Sequence, residues 1–418
     1  MGRVKREGWY AKKTFPHFDL PLGFEPAREL VSDPASIVHH SFKPFIGYTD
    51  RKRRFKPKTT QKYDVKERPI KYCSHRDGYI HSYYASQLVA AYEKFLQSKP
   101  WNKCVIGYRA GLGTNIHMAK NAFNEIRTRK DCCALAIDIS DFFGSIEHDV
   151  LLENLKRVLG QERLSQDWFK VYRSMTRYAW VESEDLVEKL GFDPKFPPRP
   201  LCDSETFRNL RAADPEFVKP NSSTHGIPQG SPISAIFSNV YMIDFDATCF
   251  EFITSIGGFY RRYSDDIFVV CDKENRQDVE KFVAKEIEKL GVAIKIKPEK
   301  TEVSYFSQSS SGALVCDAPI SYLGFTYDGV RTLLRARTMS RYFRRMTFAT
   351  RHTARAARKM KAAHVFKRKL YRQFTHLGRS NFYSYAKRAS EIFEDRTPKR
   401  QLRRHVPILH RKLKRRGK

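Results

Sequence analysis

Two adjacent carboxylates, Asp265 and Asp266, stand between two apolar, β-prone runs in the segment Phe259 to Val270, FYRRYSDDIFVV. In a hairpin they would be held together at the tip, where a divalent cation can relieve their repulsion. An ordinary Asp-bearing turn has the same letters, but the flanking apolar runs anchor this one in a sheet. A third carboxylate, Asp138, lies at the end of an apolar run in Ala134 to His148, ALAIDISDFFGSIEH. An aspartate at a strand end is common, so Asp138 gains meaning only beside a second acidic strand. A third segment, Gly226 to Pro232 (GIPQGSP), lets backbone come close to a phosphate or a base pair. It runs into an apolar stretch that Ser231 is placed to cap, with Pro232 at the first helical position. A plain loop-to-helix junction reads the same way.

These residues need elements to position them. Ile80 to Phe95 has helical periodicity, and Cys132 to Ile139 is a short apolar run with the length of a buried strand. Ile233 to Phe252 reads as one helix and Phe259 to Cys271 as strand, tight turn, strand. Val292 to Lys297 and Ile320 to Tyr327 read as further strands. Residues 182–224 are polar and proline-bearing and read as an irregular insertion. Two helices are expected at about 338–360 and 363–389, with Tyr342, Phe343, Phe348, Phe366, Tyr371 and Phe374 spaced through them. No repeat of solenoid period is present.

The chain of 418 residues carries a net charge of +31, which calls for a polyanionic partner, nucleic acid first. A binder without chemistry, of ribosomal or chromatin type, would share that footprint. Residues 331–418 hold 29 Lys and Arg against three acidic residues, a net of +26, so the rest of the chain is near +5. The interleaved aromatics favour a packed helical module with a basic face over a disordered tail. A second basic run, Arg51 to Lys58, fits a nucleic-acid contact or a solvated loop equally well. The eight cysteines have no CxxC spacing, which argues against a zinc ribbon, and several lie in apolar runs as reduced core residues. The first residues lack an apolar signal region, Arg6 disagrees with myristoylation, and no apolar run reaches membrane-spanning length. A cytoplasmic protein without a membrane is expected.

Phosphoryl transfer asks for a loose, negatively charged transition state to be stabilised with its reactants in line. Two Mg²⁺ ions about 4 Å apart meet that need, and Mg²⁺ takes oxygen ligands from a few carboxylates plus substrate phosphates. Asp138 and Asp265, brought together from two strands, would supply such a cradle. With this set in view, the chain resembles the reverse transcriptase family. IDISDFFGSIEH is similar to the first catalytic palm motif, GIPQGSPIS to the second, and YSDD to the Tyr-x-Asp-Asp box. Lys300 in PEKTEV is similar to the lysine of the following motif, and YLGF at 322–325 to the primer grip. ERPIKY at 67–72 and IGYRAGLG at 106–113 are similar to fingers motifs. The resemblance covers about 65–330.

It implies an α+β right-hand polymerase: an N-terminal extension (1–65), fingers and palm with an antiparallel sheet plus helices (66–330), and a basic helical thumb (331–418). It implies catalysis by Asp138, Asp265, Asp266 and Lys300, with two Mg²⁺ held by Asp138, Asp265, Asp266 and the carbonyl of Ile139. Asp266 would point partly away, as neighbours in a strand do. Lys300 would protonate pyrophosphate or counter its charge. Phe143 matches the steric gate against a 2′-hydroxyl, or is simply core. Gln229 would meet the templating pair or the incoming nucleotide, and Arg68, Lys71 and Arg109 are candidates for its triphosphate.

FPHFDLPL at 15–22, RPIKYCSHRDGYIHSYY at 68–84 and the compact thumb resemble the bacterial defence-associated reverse transcriptases, nearest to the type-two system. That branch implies a cognate structured non-coding RNA as template, dNTPs as substrates, cDNA as product and resistance to phage. The NAxxH and VTG signatures of retron enzymes are not found, and no endonuclease or RNase H-like motif is evident. An intron maturase, an untemplated or protein-primed polymerase of the abortive-infection type, and a non-enzymatic RNA binder stay open. The early aromatics Trp9, Tyr10, Phe15, Phe18, Phe42, Phe45 and Tyr48 suit base stacking or packing. The oligomeric state has no signature in the sequence.

Overall fold

A computed structural model describes residues 8–55, 63–296, 301–362 and 364–414. The chain is α+β and divides into two compact units. The first comprises residues 1–109, 139–249 and 283–296, the second residues 110–138, 250–282 and 297–418.

In the first unit the helix His75–Gln97 starts at Ser74, whose side chain accepts from the Asp77 amide. Its buried face, Ile80, Tyr84, Leu88, Tyr92 and Leu96, follows the helical period. A four-stranded sheet runs Pro69–Tyr72, Phe45–Thr49, Ala179–Glu182, Lys219–Pro220. Residues 182–224 are not irregular. They form helices Ser183–Leu190 and Ser204–Ala213, and Leu186, Leu201 and Phe217 are buried with Phe18, Ile46 and Val181. Those apolar residues are spaced singly among charges, so no periodic run announces them. The early aromatics are packing groups. Tyr10 stacks on Tyr79 at 5.4 Å, Trp9 on Phe24 at 6.2 Å and Phe15 on His75 at 4.8 Å. Tyr48 alone of that set is exposed.

In the second unit an antiparallel sheet runs Leu314–Cys316, Glu302–Gln308, Cys132–Ser140, Asp266–Cys271, Phe259–Tyr263. Cys132 to Leu135 and Ile267 to Cys271 are fully buried. Strands covered on both faces read as continuous apolar runs, which is why these two are visible in the sequence. In the first unit, the strand expected at 292–297 has Lys295–Ile296 as its described part, pairing with Ser140 and Ile139, and Lys297 lies outside the described residues. Ile320 to Tyr327 is a hairpin, not one strand: Ile320–Tyr322 and Phe325–Tyr327 flank Leu323 (φ 45°) and Gly324 (φ 93°).

The basic C-terminal segment is a packed helical module. The helix Ala336–Lys359 buries Tyr342, Met346, Thr350, Ala354 and Ala357, and the Tyr342 hydroxyl donates to the Phe374 carbonyl at 2.7 Å. The helix expected over 363–389 is broken into Arg368–Phe374 and Phe382–Phe393. Asn381 makes the break: it accepts from the Ser384 amide and donates to the carbonyls of Arg372 and Thr375. A Cβ on Gly378 would sit 1.8 Å from the Arg372 carbonyl oxygen, so glycine is required there. Phe348 and Phe366 are exposed rather than packed.

None of the eight cysteines forms a disulfide; six are buried and two, Cys202 and Cys316, half-buried. Among the described residues no helix is long and apolar enough to cross a membrane.

Candidate active site

The acidic hairpin lies in the second unit. Phe259–Tyr263 and Asp266–Cys271 pair antiparallel, with Tyr263 opposite Asp266, so Ser264 and Asp265 form the two-residue tip. Ser264 sits at φ 57°, a left-handed position that tight hairpins demand and that suits small polar residues better than branched ones. Beneath it Arg262, fully buried, donates from Nη1 to the Ser264 carbonyl at 3.0 Å and holds the tip from inside. The other edge of Asp266–Cys271 pairs with Cys132–Ser140, in a register that places Asp138 opposite Asp266 and Ile137 opposite Ile267.

Directly opposed residues of an antiparallel pair project to the same face. Asp266 therefore shares a face with Asp138, with Asp265 one residue away on the tip. Strand alternation along Asp265–Asp266 alone suggests that Asp266 turns aside; Asp265 is in the turn, where alternation does not apply. The Tyr322 ring packs on Phe268 at 4.4 Å, and its hydroxyl is buried without a hydrogen-bond partner. Burial first, and then the Asp266 charge, push its ionisation far above the usual tyrosine range.

The remaining candidates belong to the first unit. After Ile139 and Ser140, the turn Phe142–Ser145 is zipped to the Gly-Ile-Pro-Gln-Gly loop. The Ile227 amide donates to the Phe143 carbonyl at 2.9 Å, and the Gly226 amide to the Ile146 carbonyl at 2.8 Å. Gly226, at φ 90°, approaches so closely that a Cβ would lie 3.1 Å from the Gly144 oxygen. Phe143, half-buried, and Gln229 are thereby held on one frame. The Lys71 amide donates to the Gln229 carbonyl at 3.0 Å, so Lys71 joins the same frame. Its ammonium lies over the Trp180 ring at 4.4 Å, and burial, opposed by Glu182 and Asp141, lowers its pKa.

Ser231 does not cap the following helix. Its hydroxyl meets His81, and the helix begins at Ser234 after an N-cap at Ile233 that makes no side-chain bond. The helix expected over Ile233 to Phe252 is two, Ser234–Tyr241 and Ile243–Ser255. Arg68 is exposed, and its backbone exchanges two hydrogen bonds with Asp50. Arg109 is held by groups of its own unit. Its guanidinium is bonded to both Glu93 oxygens at 2.8 and 2.6 Å, to Asn102 Oδ1 at 2.7 Å and to the Val105 carbonyl at 3.0 Å. With its side chain only 5% exposed, it braces this loop. Lys300 lies outside the described residues.

Sequence reasoning missed Arg262 and His81. Arg262 had a signal: it occupies the same strand face as buried Tyr260, an inward position for a charge. His81 had none, because its partners are far away in the chain.

Asp138, Asp265 and Asp266 offer hard oxygen donors, the chemistry of Mg²⁺ rather than of zinc. Among the described residues no group of three or more His, Cys, Asp or Glu forms a ready-made metal cage. Carboxylates carried by strand ends and a turn suit an ion that completes its shell with backbone, water and phosphate oxygens.

Solved structures that this chain matches include telomerase from Candida albicans in complex with a TWJ fragment of telomeric RNA (11% identity, 94% of this chain and 64% of that one, TM-score 0.44). Apo telomerase from Candida tropicalis gives 11% identity over 88% and 57%, with a TM-score of 0.42. The RNA-dependent RNA polymerase of a human picobirnavirus gives 12% over 68% and 44%, with a TM-score of 0.38. The chain thus spans about two thirds or less of the length of these structures. A comparison with curated proteins finds no match. Residues 57–327, well over half of the chain, match a single family description and take in every motif from the fingers to the YLGF hairpin. The chain belongs to the reverse transcriptase (RNA-dependent DNA polymerase) family.

Proposed function

We propose that this protein is an RNA-templated DNA polymerase that copies a cognate structured non-coding RNA into cDNA from dNTPs, in the cytoplasm of a bacterium and in defence against phage. The observation that carries the chemistry is the acidic tip, with Asp138 opposite Asp266 and Asp265 beside them, inside the family-matched stretch. The defence role rests only on the resemblance of residues 15–22, residues 68–84 and the compact thumb to that branch.

Asp138 and Asp265 would hold two Mg²⁺ ions, with Asp266 and the Ile139 carbonyl completing the set. Bound there, the ions would lower the cost of the 3′-hydroxylate and of the charge on the departing pyrophosphate. Phe143 would exclude a 2′-hydroxyl, which makes the product DNA. Gln229 would seat the templating pair or the incoming nucleotide. Lys71 and Arg68 would meet the triphosphate, and Lys300 would give a proton to pyrophosphate or counter its charge. Arg109 keeps the bracing role that its bonds to Glu93 give it.

The test is nucleotide incorporation by purified protein with its co-purified RNA, Mg²⁺ and dNTPs, beside an Asp265→Ala, Asp266→Ala variant. DNA product that needs both the RNA and the carboxylates supports the reading, and its sequence names the template. Product that survives RNase treatment would replace it with untemplated synthesis. No product under any condition would leave an RNA-binding or maturase role.

A further inference from the structure

The helix Ala336–Lys359 contains seven arginines, at 337, 341, 344, 345, 351, 355 and 358, and no acidic residue. All seven are exposed, and the opposite face is spent on packing. Positions 337, 341, 344, 348, 351, 355 and 358 alternate steps of four and three, which keeps them in one stripe along the outer face. At 1.5 Å per residue the stripe is about 32 Å long. Six of its seven places are arginine. The middle one is Phe348, 72% exposed, whose ring stacks beside His352 with centroids 6.5 Å apart and planes 28° from parallel.

A single exposed phenyl ring ordinarily needs no explanation. This one differs in its surroundings. Its neighbours one turn away are Arg344, Arg345, Arg351 and His352, so whatever covers the ring must also accept three or four cationic groups. An apolar protein patch would strand those charges away from water. A nucleic acid brings both halves of the complement, phosphates for the arginines and an unsaturated ring face for Phe348. A base inside a regular stem is stacked on its neighbours and closed to a side chain, whereas an unpaired one is open to it.

We propose that this stripe docks an RNA stem through its phosphates and that Phe348 stacks on one unpaired base of it. The choice of RNA rests on the polymerase reading above; the stacking rests on the helix itself. Phe348 would then act as a selector, distinguishing a stem with an extruded nucleotide from a uniform one.

The test uses the full chain and two RNA hairpins, one fully paired and one carrying a single unpaired 2-aminopurine. Affinity is measured across a salt series, and 2-aminopurine fluorescence reports stacking. Phe348→Ala is expected to weaken binding of the bulged hairpin about tenfold, the order of one lost base–aromatic stack. It should leave the paired hairpin and the salt slope unchanged. Phe348→Trp is expected to keep both the preference and the fluorescence change, which separates stacking from damage to the helix. Equal affinity of wild type and Phe348→Ala for the bulged hairpin, or equal loss on both hairpins, would overturn the proposal. So would a preference of wild type for a bulged DNA hairpin or for anionic vesicles. Incorporation by wild type on an unstructured RNA template with an annealed DNA primer is read separately, so failure of the polymerase assignment leaves the stacking result legible.

Discussion

The Ser231 hydroxyl meets Nδ1 of His81 at 3.0 Å, across 150 positions of sequence. The other ring nitrogen, Nε2, lies 3.0 Å from the Ser174 hydroxyl. One buried imidazole thus ties the Gln229 loop to two helices, His75–Gln97 and Gln166–Thr176. His81→Phe keeps most of the volume and leaves the buried Ser231 hydroxyl without its imidazole partner, a cost of about 1–3 kcal/mol, while the half-buried Ser174 hydroxyl still donates to the Val171 carbonyl. The Km for dNTP is expected to rise about tenfold with a smaller change in kcat, and His81→Gln to restore part of it. Steady-state incorporation decides: a lower melting temperature with an unchanged Km would reduce His81 to scaffold.

Acid should loosen the first unit. Burial holds His81 near a pKa of about 3, helped by the charges of Lys13 and His40, and it holds His17 at about 3 as well. In the unfolded chain both return toward about 6.5. Between those values the unfolded state binds more protons, so stability is complete above pH 6.5 and declines as the pH falls toward 3. Asp19 adds to the decline. Burial alone would raise its pKa, but bonds from His75 and from the amides of His75 and Arg76 hold it lowered. His75 acts in the opposite sense. Burial pulls it down, the Asp19 bond and charge outweigh that, and its contribution is lost as the pH rises through its raised pKa. Denaturation midpoints measured from pH 4 to 8 should fall toward acid, and more gently in His17→Phe. A flat profile would contradict the burial argument.

The register also separates two readings of the acidic pair. With Asp138 opposite Asp266, Asp266→Asn is expected to cost incorporation about as heavily as Asp138→Asn, on the order of 10³-fold. If Asp266→Asn retains activity while Asp265→Asn loses it, alternation along the strand governs after all. Circular dichroism of each variant should match wild type, since the tip is held from inside by Arg262.

Arg109→Ala is expected to act on stability. The change removes a nearly buried guanidinium from Glu93, Asn102 and the Val105 carbonyl. With Glu93 31% exposed and able to reach water, a loss of about 2–3 kcal/mol is expected, below that for a fully buried pair. Thermal unfolding would show it, and the Km for dNTP at a permissive temperature should stay near wild type. A rise in Km without a change in melting temperature would return Arg109 to the triphosphate.

The parts legible in the sequence are those whose physics is local. Cys132 to Ile139 and the strands around Asp265 announce themselves because continuous burial leaves continuous apolar letters. The helix at Ile80 to Phe95 shows its period, and the helix at 338–360 agrees with Ala336–Lys359 to within two residues. What was hidden depends on distant partners. Ser231 looks like a cap until His81 is placed beside it. The core around Leu186, Leu201 and Phe217 is assembled from single apolar residues set among charges. The break at Asn381 comes from a side chain reaching two carbonyls already past, on Arg372 and Thr375.

The cysteines give the molecule a built-in ruler. Six thiols are buried, and for Cys73, Cys132 and Cys133 burial drives the pKa to about 12, which keeps them out of reach of maleimides. The two half-buried thiols fall one in each compact unit, Cys202 in the first and Cys316 in the second. Burial and nearby aspartates raise both, so mildly alkaline buffer is the condition to label them. A donor and an acceptor dye can therefore be attached to the wild-type chain without introducing a single new residue. Their energy transfer would read the spacing of the two units in solution, before and after RNA is added.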